Sequence, residues 1–231
     1  MAELESFYEL LQQQPLFQGL SRDNLTAIFS KVKMNFQKYA PGNIVRAETD
    51  PCRDLLFLLK GTIDVSHSSS NHRIVFTETW NNPTVIGAES IFGLSQHHQR
   101  TYRASSDLQT LSIGKEFITS ILLQYEVFRF NLLGLLSTRI QRSNRMLWDT
   151  PRPTLLHRFV QVLQHNFNKP SGEKHIYGKL VDLAPYVDAT RLNLSILLNR
   201  LQDEGLIQME RKHLTLSALE KIILYAQEHE E

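Results

Sequence analysis

One segment carries the strongest structural signal of the chain: Ala189-Thr190-Arg191-Leu192-Asn193-Leu194-Ser195-Ile196-Leu197-Leu198-Asn199-Arg200-Leu201-Gln202-Asp203-Glu204-Gly205-Leu206-Ile207. Its leucines recur with the i, i+3, i+4, i+7 spacing of one buried helix face. The four are Leu194, Leu197, Leu198 and Leu201. Thr190 is placed to cap the N-terminus of this helix and Gly205 to end it, so we predict a helix from Arg191 to Glu204. A short helix over residues 180–184 and a turn over residues 187–189 precede it, which predicts a helix-turn-helix.

The residues after Gly205 change to a strand pattern. Residues 206–209 and 213–216 alternate at a strand period around a polar tip, which predicts a hairpin, or wing. Arg211 and Lys212 at this tip, with His213 beside them, are expected to contact phosphates. Ser217 and Glu220 are spaced as the capping box of a last helix. A small helical packing domain is the alternative, but such a domain would not need the hairpin.

The helix face opposite the leucine stripe is the predicted DNA-contact surface. Arg191 in the first turn can donate two hydrogen bonds to a guanine, and exposed Leu192 and Ile196 can contact thymine methyl groups. The predicted DNA-binding residues are Thr190, Arg191, Leu192, Asn193, Ser195, Ile196, Asn199, Arg200, Arg211 and Lys212. Two apolar residues on a solvated face need a partner, and another protein surface is the alternative to DNA.

Composition limits the classes of protein to which the chain can belong. Its 231 residues carry a net charge of +1, so non-specific polyanion binding is not a property of the whole molecule. With the single cysteine Cys52, the chain can form neither an intrachain disulfide nor an iron–sulfur cluster with four cysteine ligands. The N-terminus has no apolar signal segment, and no stretch approaches a membrane-spanning length. We therefore expect a soluble, cytoplasmic protein.

Metal and catalytic motifs are not apparent in the sequence. Four histidines, His67, His72, His97 and His98, lie near predicted strands, but no carboxylate or thiolate spacing joins them. We interpret them as solvated loop residues. The sequence also has no phosphate-binding glycine loop, nucleophile elbow or zincin motif. We therefore expect no metal site and no enzymatic activity.

The first half of the chain is predicted to be a small β-barrel. Many short runs of alternating apolar residues with regular turn signals, from Val32 to Ile113, are typical of a jelly roll. A long helical run from Lys115 to Trp148 follows. Its apolar stripe predicts pairing with a second copy, although packing on its own barrel is the alternative. The stripe consists of Phe130, Leu133, Leu136, Ile140 and Leu147.

Proline residues 151 and 153 mark a boundary after this run. We therefore predict three parts: an effector-sensing barrel domain with N-terminal helices over residues 1–125, a dimerisation helix and hinge over residues 126–150, and a winged helix-turn-helix domain over residues 151–231.

The order of these parts resembles the CRP/FNR family of bacterial transcription regulators over essentially the whole chain. Four motifs stand at the family's spacing: Pro-Leu-Phe-Gln-Gly-Leu-Ser at 15–21, Leu-Leu-Lys-Gly-Thr-Ile-Asp-Val at 58–65, Ile-Gly-Ala-Glu at 86–89 and Leu-Gln-Asp-Glu-Gly-Leu-Ile at 201–207. The resemblance implies an α+β fold with an N-terminal β-barrel (jelly roll) of the cyclic-nucleotide-binding type, a long dimerisation helix and a C-terminal winged helix-turn-helix.

The resemblance also implies an effector pocket, from which this chain departs. Family members that bind cyclic nucleotides hold the ribose through a Gly-Glu-Leu element and the phosphate through an Arg-Ser or Arg-Thr pair. The positions here that correspond to these elements or adjoin them are Gly87, Glu89, His98, Gln99, Arg100 and Thr101. The resemblance also places two polar residues of the dimerisation helix, Ser143 and Asn144, over the ligand, and a polar pair that fixes the register of the dimer is the alternative. His98-Gln99 stands where the Arg pair is expected, and Arg100-Thr101 comes two residues late. Cyclic AMP is therefore not the expected effector, and a clamp shifted to Arg100 is the alternative.

Together these features predict a homodimeric, sequence-specific DNA-binding transcription regulator controlled by an unidentified signal in the barrel. The expected partners are double-stranded DNA with a palindromic operator and a second copy of the chain, with RNA polymerase as a further candidate. No cofactor is expected to be required. The alternative is a regulatory or protein-interaction scaffold in which the ligand and DNA sites have degenerated.

Overall fold

The computed structural model of the chain describes residues 2–145 and 154–229. These residues form two compact units. The first contains residues 2–64 and 80–141, and the second contains residues 65–79, 142–145 and 154–229. The second unit is therefore assembled from separate parts of the chain. The three-part division at residues 125/126 and 150/151 remains a prediction.

Antiparallel strands form the centre of the first unit. The strands between residues 34 and 114 are β1 (Met34–Tyr39), β2 (Ile44–Arg46), β3 (Asp54–Lys60), β4 (Thr62–Ser68), β5 (Val75–Asn81), β6 (Thr84–Ile86), β7 (Thr101–Ala104) and β8 (Leu108–Gly114). Within the first unit, β1, β8, β3 and β6 lie side by side in one sheet, and β2 pairs with β7. The five consecutive apolar residues of β3 are all buried, which explains its continuous apolar sequence. The predicted antiparallel β domain is confirmed.

Helices cover the core of this unit. They are α1 (Ala2–Gln12), α2 (Arg22–Phe29), α3 (Lys115–Ser120) and the start of α4 (Glu126–Arg145). Ser21 caps α2 by accepting a hydrogen bond from the Asn24 backbone. Phe17 packs between the sheet and α4, with its ring centroid 5.1 Å from that of Phe57 and 5.8 Å from that of Phe128.

The continuous helical run predicted from Lys115 is wrong at residues 121–125. The chain leaves the helix at Ile121 (φ −123°, ψ −60°) and makes a 3-10 turn over Leu122–Gln124 before α4 begins. The break has a packing reason. Leu122 and Phe128 are both fully buried in the core, but six residues along one straight helix they would project about 120° apart. The break allows both side chains to reach the core.

The predicted order of elements is present in the second unit. It contains α5 (Leu155–Asn166), β9 (Lys174–Tyr177), α6 (Leu180–Leu183), a 3-10 turn over Ala184–Val187, α7 (Arg191–Asp203), β10 (Ile207–Glu210), β11 (His213–Leu216) and α8 (Leu219–Glu228). Pro185 lies in the first turn of the 3-10 segment, where its missing N–H costs no hydrogen bond. The predicted capping box of α8 is wrong. Ala218 precedes the helix without a side-chain cap, because the Ser217 hydroxyl donates to the Leu206 carbonyl.

A strand from the first half of the chain completes the sheet of this unit. Its strand order is β10, β11, β9 and β5, and β9 pairs antiparallel with residues 75–78 of β5. Ile74 and Phe76 belong to the same buried core as α5, α7 and α8. The contact leaves no room for a side chain at residue 178, because a Cβ on Gly178 would lie 2.3 Å from Ile74 Cδ1.

A fully buried ion pair joins the two strands. Lys174 Nζ lies 3.5 Å from Glu78 Oε2, and neither side chain is exposed to solvent. The Glu78 carboxylate also accepts hydrogen bonds from the backbone amides of Asn168 (2.8 Å) and Lys169 (3.1 Å). Lys174 Nζ donates to the Ser171 carbonyl at 2.7 Å. Burial lowers the pKa of Lys174, and the Glu78 charge opposes this effect. Each buried charge is thus compensated by several partners.

We expect Lys174→Met to lower the free energy of unfolding by about 3–5 kcal/mol, because it leaves the Glu78 carboxylate buried without its counter-ion. Urea denaturation followed by circular dichroism measures the loss. The double variant Glu78→Gln/Lys174→Met should lose less than Lys174→Met alone. The control Arg73→Gln breaks only the ion pair of an exposed arginine with Asp182 and should cost less than about 1 kcal/mol. Equal losses for Lys174→Met and Arg73→Gln would contradict the prediction.

Candidate functional site

Helix α7 of the second unit presents one face to the core and another to solvent. Thr190 caps it by accepting a hydrogen bond from the Asn193 backbone at 3.2 Å. Leu194, Leu198 and Leu201 are fully buried, and Leu197 is partly buried against the same core. The helix ends at Asp203, one residue before the predicted end. The leucine stripe therefore fixes which side of α7 faces outward.

The outward face carries the side chains that the sequence placed there. Leu192 is 69% exposed and Ile196 is 60% exposed. Thr190, Arg191, Asn193, Asn199 and Arg200 are also exposed, and Ser195 is half-buried. The Arg200 guanidinium lies over the Tyr225 ring at 5.6 Å, so this side chain has a partner within the unit. The surface combines an arginine in the first turn with two apolar side chains.

An arginine that the sequence did not single out positions the start of α7. Arg158 in α5 donates from Nε to the Val187 carbonyl at 2.8 Å and from its terminal nitrogen to the Asp188 carbonyl at 3.1 Å. Asp188 itself has a left-handed conformation (φ 48°). The guanidinium thus braces the turn that precedes the helix. Its distance of 30 residues along the chain explains why no local pattern predicts this role.

The hairpin after α7 has the predicted basic tip. Arg211 and Lys212 are exposed between β10 and β11, and Lys212 has a positive φ of 63°. The Gly178 amide donates to the Lys212 carbonyl at 2.9 Å, which ties the tip to the start of α6. His213 does not belong to this tip. Its ring lies on the sheet, parallel to that of Tyr177 with centroids 4.5 Å apart.

The predicted effector residues of the first unit lie near the end of β6. Gly87 has a φ of +94°, and a Cβ at this position would lie 3.0 Å from both the Asp54 carbonyl and Cys52 Sγ. Only glycine therefore fits without displacement of its neighbours. Burial raises the pKa of Cys52 to about 11, so its thiol is protonated at neutral pH.

Glu89 is engaged by a residue that the sequence analysis did not assign to the pocket. Arg139 of α4 forms an ion pair with the Glu89 carboxylate and donates a further hydrogen bond to the Val85 carbonyl at 3.2 Å. Both side chains are only partly exposed, at 31% for Arg139 and 38% for Glu89. A ligand that used Glu89 as an acceptor would have to share it with this arginine or displace it.

The interpretation of His98 as a solvated loop residue is wrong. His98 is 2% exposed, and its ring packs edge-on against Tyr102 with centroids 5.8 Å apart. Backbone hydrogen bonds with Thr49 and Asp50 hold it as a strand-like segment. Burial, assisted by the nearby Arg46, lowers the pKa of His98. Its imidazole is therefore neutral at neutral pH, and Nε2 has no hydrogen-bond partner among the described residues.

The predicted pocket residues Gln99, Arg100 and Thr101 follow His98, whose Cε1 would lie 3.8 Å from a Cβ built on Gly87. Gln99 is exposed and donates to the His97 carbonyl at 3.2 Å, and the Thr101 hydroxyl accepts from the Glu48 amide at 3.1 Å. Arg100 is half-buried. A surface cavity of about 420 Å³ is lined by Glu48, Thr49, Ser95, His97, His98 and Gln99. The side chains of Ser143 and Asn144 lie outside the described residues, although α4 runs through both positions.

Helix α4 leaves an apolar face exposed in the single chain. Phe130 is 64% exposed, and Leu133 and Ile140 are each 59% exposed. A Cβ built on Gly134 meets no atom within 4 Å. Leu136, which the sequence placed on the same stripe, is instead partly buried in the core of its own unit. Leu147 lies outside the described residues. In the part of the chain that the structure describes, none of the helices has the length and apolar character needed to traverse a bilayer.

Comparisons with known proteins agree with this architecture. Residues 36–125 match the family described as cyclic nucleotide-binding domain. The global nitrogen regulator of Synechococcus elongatus is 24% identical over 203 residues, which cover 80% of this chain and 87% of that protein.

Two solved structures show the fold. The sensor domain of the transcriptional regulator DNR from Pseudomonas aeruginosa is 18% identical, with a TM-score of 0.53 over 66% of this chain and 100% of that chain. The c-di-GMP responsive global regulator CLP of Xanthomonas campestris is 16% identical, with a TM-score of 0.50 over 86% of this chain and 100% of that chain. The resemblance found in the sequence is confirmed at the level of the fold: residues 36–125 match a cyclic nucleotide-binding domain, and the chain shares its fold with these two regulators.

Proposed function

We propose that the chain is a sequence-specific DNA-binding transcription regulator that acts as a homodimer and is controlled by a signal at its first unit. The main support is the outward face of α7, which exposes the side chains of Arg191, Leu192 and Ile196, together with the basic tip of the hairpin that follows this helix. The relatives described above are named as regulators, including the global nitrogen regulator of Synechococcus elongatus, which supports the proposal.

The chemistry of this surface suits a DNA major groove. Arg191 lies in the first turn of α7, and its guanidinium can donate two hydrogen bonds to guanine O6 and N7. Leu192 and Ile196 can cover thymine methyl groups, which would remove their large exposed areas from water. The basic tip at Arg211 and Lys212 would contact phosphates without reading sequence. In this arrangement α7 is the recognition helix and the hairpin is the wing.

Pairing of two copies through α4 would provide the symmetry of a palindromic operator. The exposed Phe130, Leu133 and Ile140 form an apolar strip beside Gly134, where a second helix can approach closely. Such a strip is unusual on a surface that remains in water. RNA polymerase is a further proposed partner.

The signal is proposed to be a molecule other than cyclic AMP. The neutral, buried His98 cannot supply the positive charge that offsets the removal of a phosphodiester from water. Glu89 is already paired with Arg139, so a ribose hydroxyl would compete with a guanidinium for the carboxylate. Both elements of the nucleotide clamp are therefore altered.

Alanine substitutions should separate base contacts from phosphate contacts. We expect Arg191→Ala to weaken operator binding by about 1–3 kcal/mol and to relax one base position. Lys212→Ala should weaken binding to all sequences alike. It should also reduce the slope of log K against log salt concentration by about one. Selection from random duplexes, followed by titration of the enriched sequence at several salt concentrations, measures both. If no sequence is enriched under any condition, the protein-interaction scaffold is the better explanation of Leu192 and Ile196.

The double variant Leu133→Glu/Ile140→Glu should be monomeric, because dimer formation would bury charges at the α4 interface. Both residues are exposed in the single chain, so the fold of each unit should be retained. Analytical ultracentrifugation at micromolar concentration provides the measurement. The control Thr138→Glu adds one glutamate at an exposed position of α4 that projects away from the apolar strip, and it should remain dimeric. A monomeric unmodified protein would rule out the α4 dimer.

Isothermal titration with cyclic AMP should show no binding with a dissociation constant of about ten micromolar or tighter, since the phosphate clamp lacks its arginine. The variant Arg100→Ala tests the alternative, in which Arg100 binds the phosphate in place of the missing arginine. Tight binding that Arg100→Ala abolishes would show that the clamp has moved by two residues. Tight binding that survives this substitution would overturn the assignment of the pocket residues as well.

A further inference from the structure

Two histidines meet on the sheet of the second unit. His175 in β9 and His213 in β11 are 38 positions apart in the sequence, yet His175 Nδ1 lies 3.1 Å from His213 Nε2. The Thr215 hydroxyl lies 3.4 Å from each of these two nitrogens. The strand register brings the three together, because Thr215 is directly opposite His175. The two ring nitrogens and the hydroxyl oxygen therefore form a nearly equilateral triangle on the sheet.

Carboxylates face the outer nitrogens of both rings. Glu173 Oε1 is 3.1 Å from His175 Nε2, and Glu210 Oε2 is 3.6 Å from His213 Nδ1. Glu173 lies within hydrogen-bond distance of His175 Nε2 and favours an N–H there, so His175 Nδ1 presents a lone pair towards His213. Glu210 is placed to favour the matching tautomer of His213 when a cation lies between the rings. The carboxylates make the site suitable for a positively charged ligand.

The dimensions of the triangle suit a transition metal. Bonds of about 2.0–2.1 Å from a tetrahedral Zn²⁺ to imidazole nitrogens place neighbouring ligand atoms about 3.3 Å apart. The observed separations of 3.1, 3.4 and 3.4 Å are close to this value. The side chains of His175 and His213 are 25% and 24% exposed, so an ion can enter from solvent. Histidines that ligate zinc commonly donate their second N–H to a carboxylate.

We propose that His175 and His213 bind a divalent transition metal of the Zn²⁺ class, with the Thr215 hydroxyl and water completing the coordination. Glu173 and Glu210 orient the rings and balance the charge of the ion. The described residues contain no group of three or more His, Cys, Asp and Glu side chains placed around one point. The protein therefore supplies only two strong ligands, and the affinity is lower than that of a structural zinc site with four.

The metal would join β9 to β11 directly beside the tip of the hairpin. Lys212 of the tip directly precedes His213 in the sequence. Its carbonyl accepts a hydrogen bond from the backbone amide of Gly178, the residue after Tyr177. The ion would thus add a further link between these two strands, next to the basic tip. It would restrict the tip and increase its positive charge.

Isothermal titration of Zn²⁺ into tag-free, full-length protein tests the proposal without DNA. We expect one bound ion per chain and a higher melting temperature with Zn²⁺ than with a chelator. Mg²⁺, which prefers oxygen ligands, should give neither effect. His175→Ala and His213→Ala should each weaken binding at least tenfold, and Glu173→Gln should weaken it about 10–100-fold. The control His165→Ala removes an exposed histidine of the same unit that is not part of the triangle and should leave binding unchanged.

The variants must retain their fold for this comparison, which circular dichroism of the metal-free proteins checks. If a histidine variant does not fold, Thr215→Val replaces it and should weaken binding while the strand pairing is kept. Absence of Zn²⁺ binding overturns the proposal and leaves a direct hydrogen bond as the contact between the rings. Binding that survives the loss of either histidine, or that disappears in His165→Ala, also overturns it. These outcomes are independent of whether the chain binds DNA.

Discussion

The pairing of β5 with β9, held by the buried Glu78–Lys174 ion pair, is the constraint on which the second unit depends. Only one strand, β9, lies between α5 and α6, so the sheet behind α7 would otherwise end at an open edge. The hairpin that carries β5 covers this edge and contributes Phe76 to the core. A buried pair of charges is tolerated because two backbone amides donate to the Glu78 carboxylate and a backbone carbonyl accepts from Lys174, in addition to the contact between the two charges.

The β5–β9 pairing affects the candidate DNA-contact surface because the strand and α7 pack against the same hydrophobic core. The core that receives Ile74 and Phe76 also receives the leucines of α7, so the same cluster that anchors the strand fixes the outward side of the helix. Arg158 adds directional hydrogen bonds to the turn before α7. The orientation of Arg191, Leu192 and Ile196 is therefore set by buried residues that never touch a ligand.

Local patterns in the sequence predicted α7, its cap Thr190 and its outward face, because helix periodicity and capping act over a few residues. They did not predict contacts between distant residues. The β5–β9 pairing spans about 100 residues, and the partners of Glu89 and His175 are 50 and 38 residues away. The burial of His98 was missed for the same reason, since backbone pairing with residues 49 and 50 converts a polar loop into a strand-like segment. The break at Ile121 reflects a packing requirement that periodicity alone does not reveal.

The altered pocket bears on the kind of signal that we propose for the first unit. In a nucleotide clamp an arginine from the loop neutralises the ligand, whereas here the charged groups at the end of β6 are Glu89 and Arg139, and they neutralise each other. Arg139 belongs to α4, whose exposed strip is the proposed dimer interface. A ligand that competes for either member of this ion pair would act directly on that helix. An anionic ligand would draw Arg139 from Glu89 and leave the carboxylate without its partner, and a cationic ligand would do the reverse. The Glu89–Arg139 pair would therefore link the charge of the proposed signal to the helix through which two copies are proposed to meet.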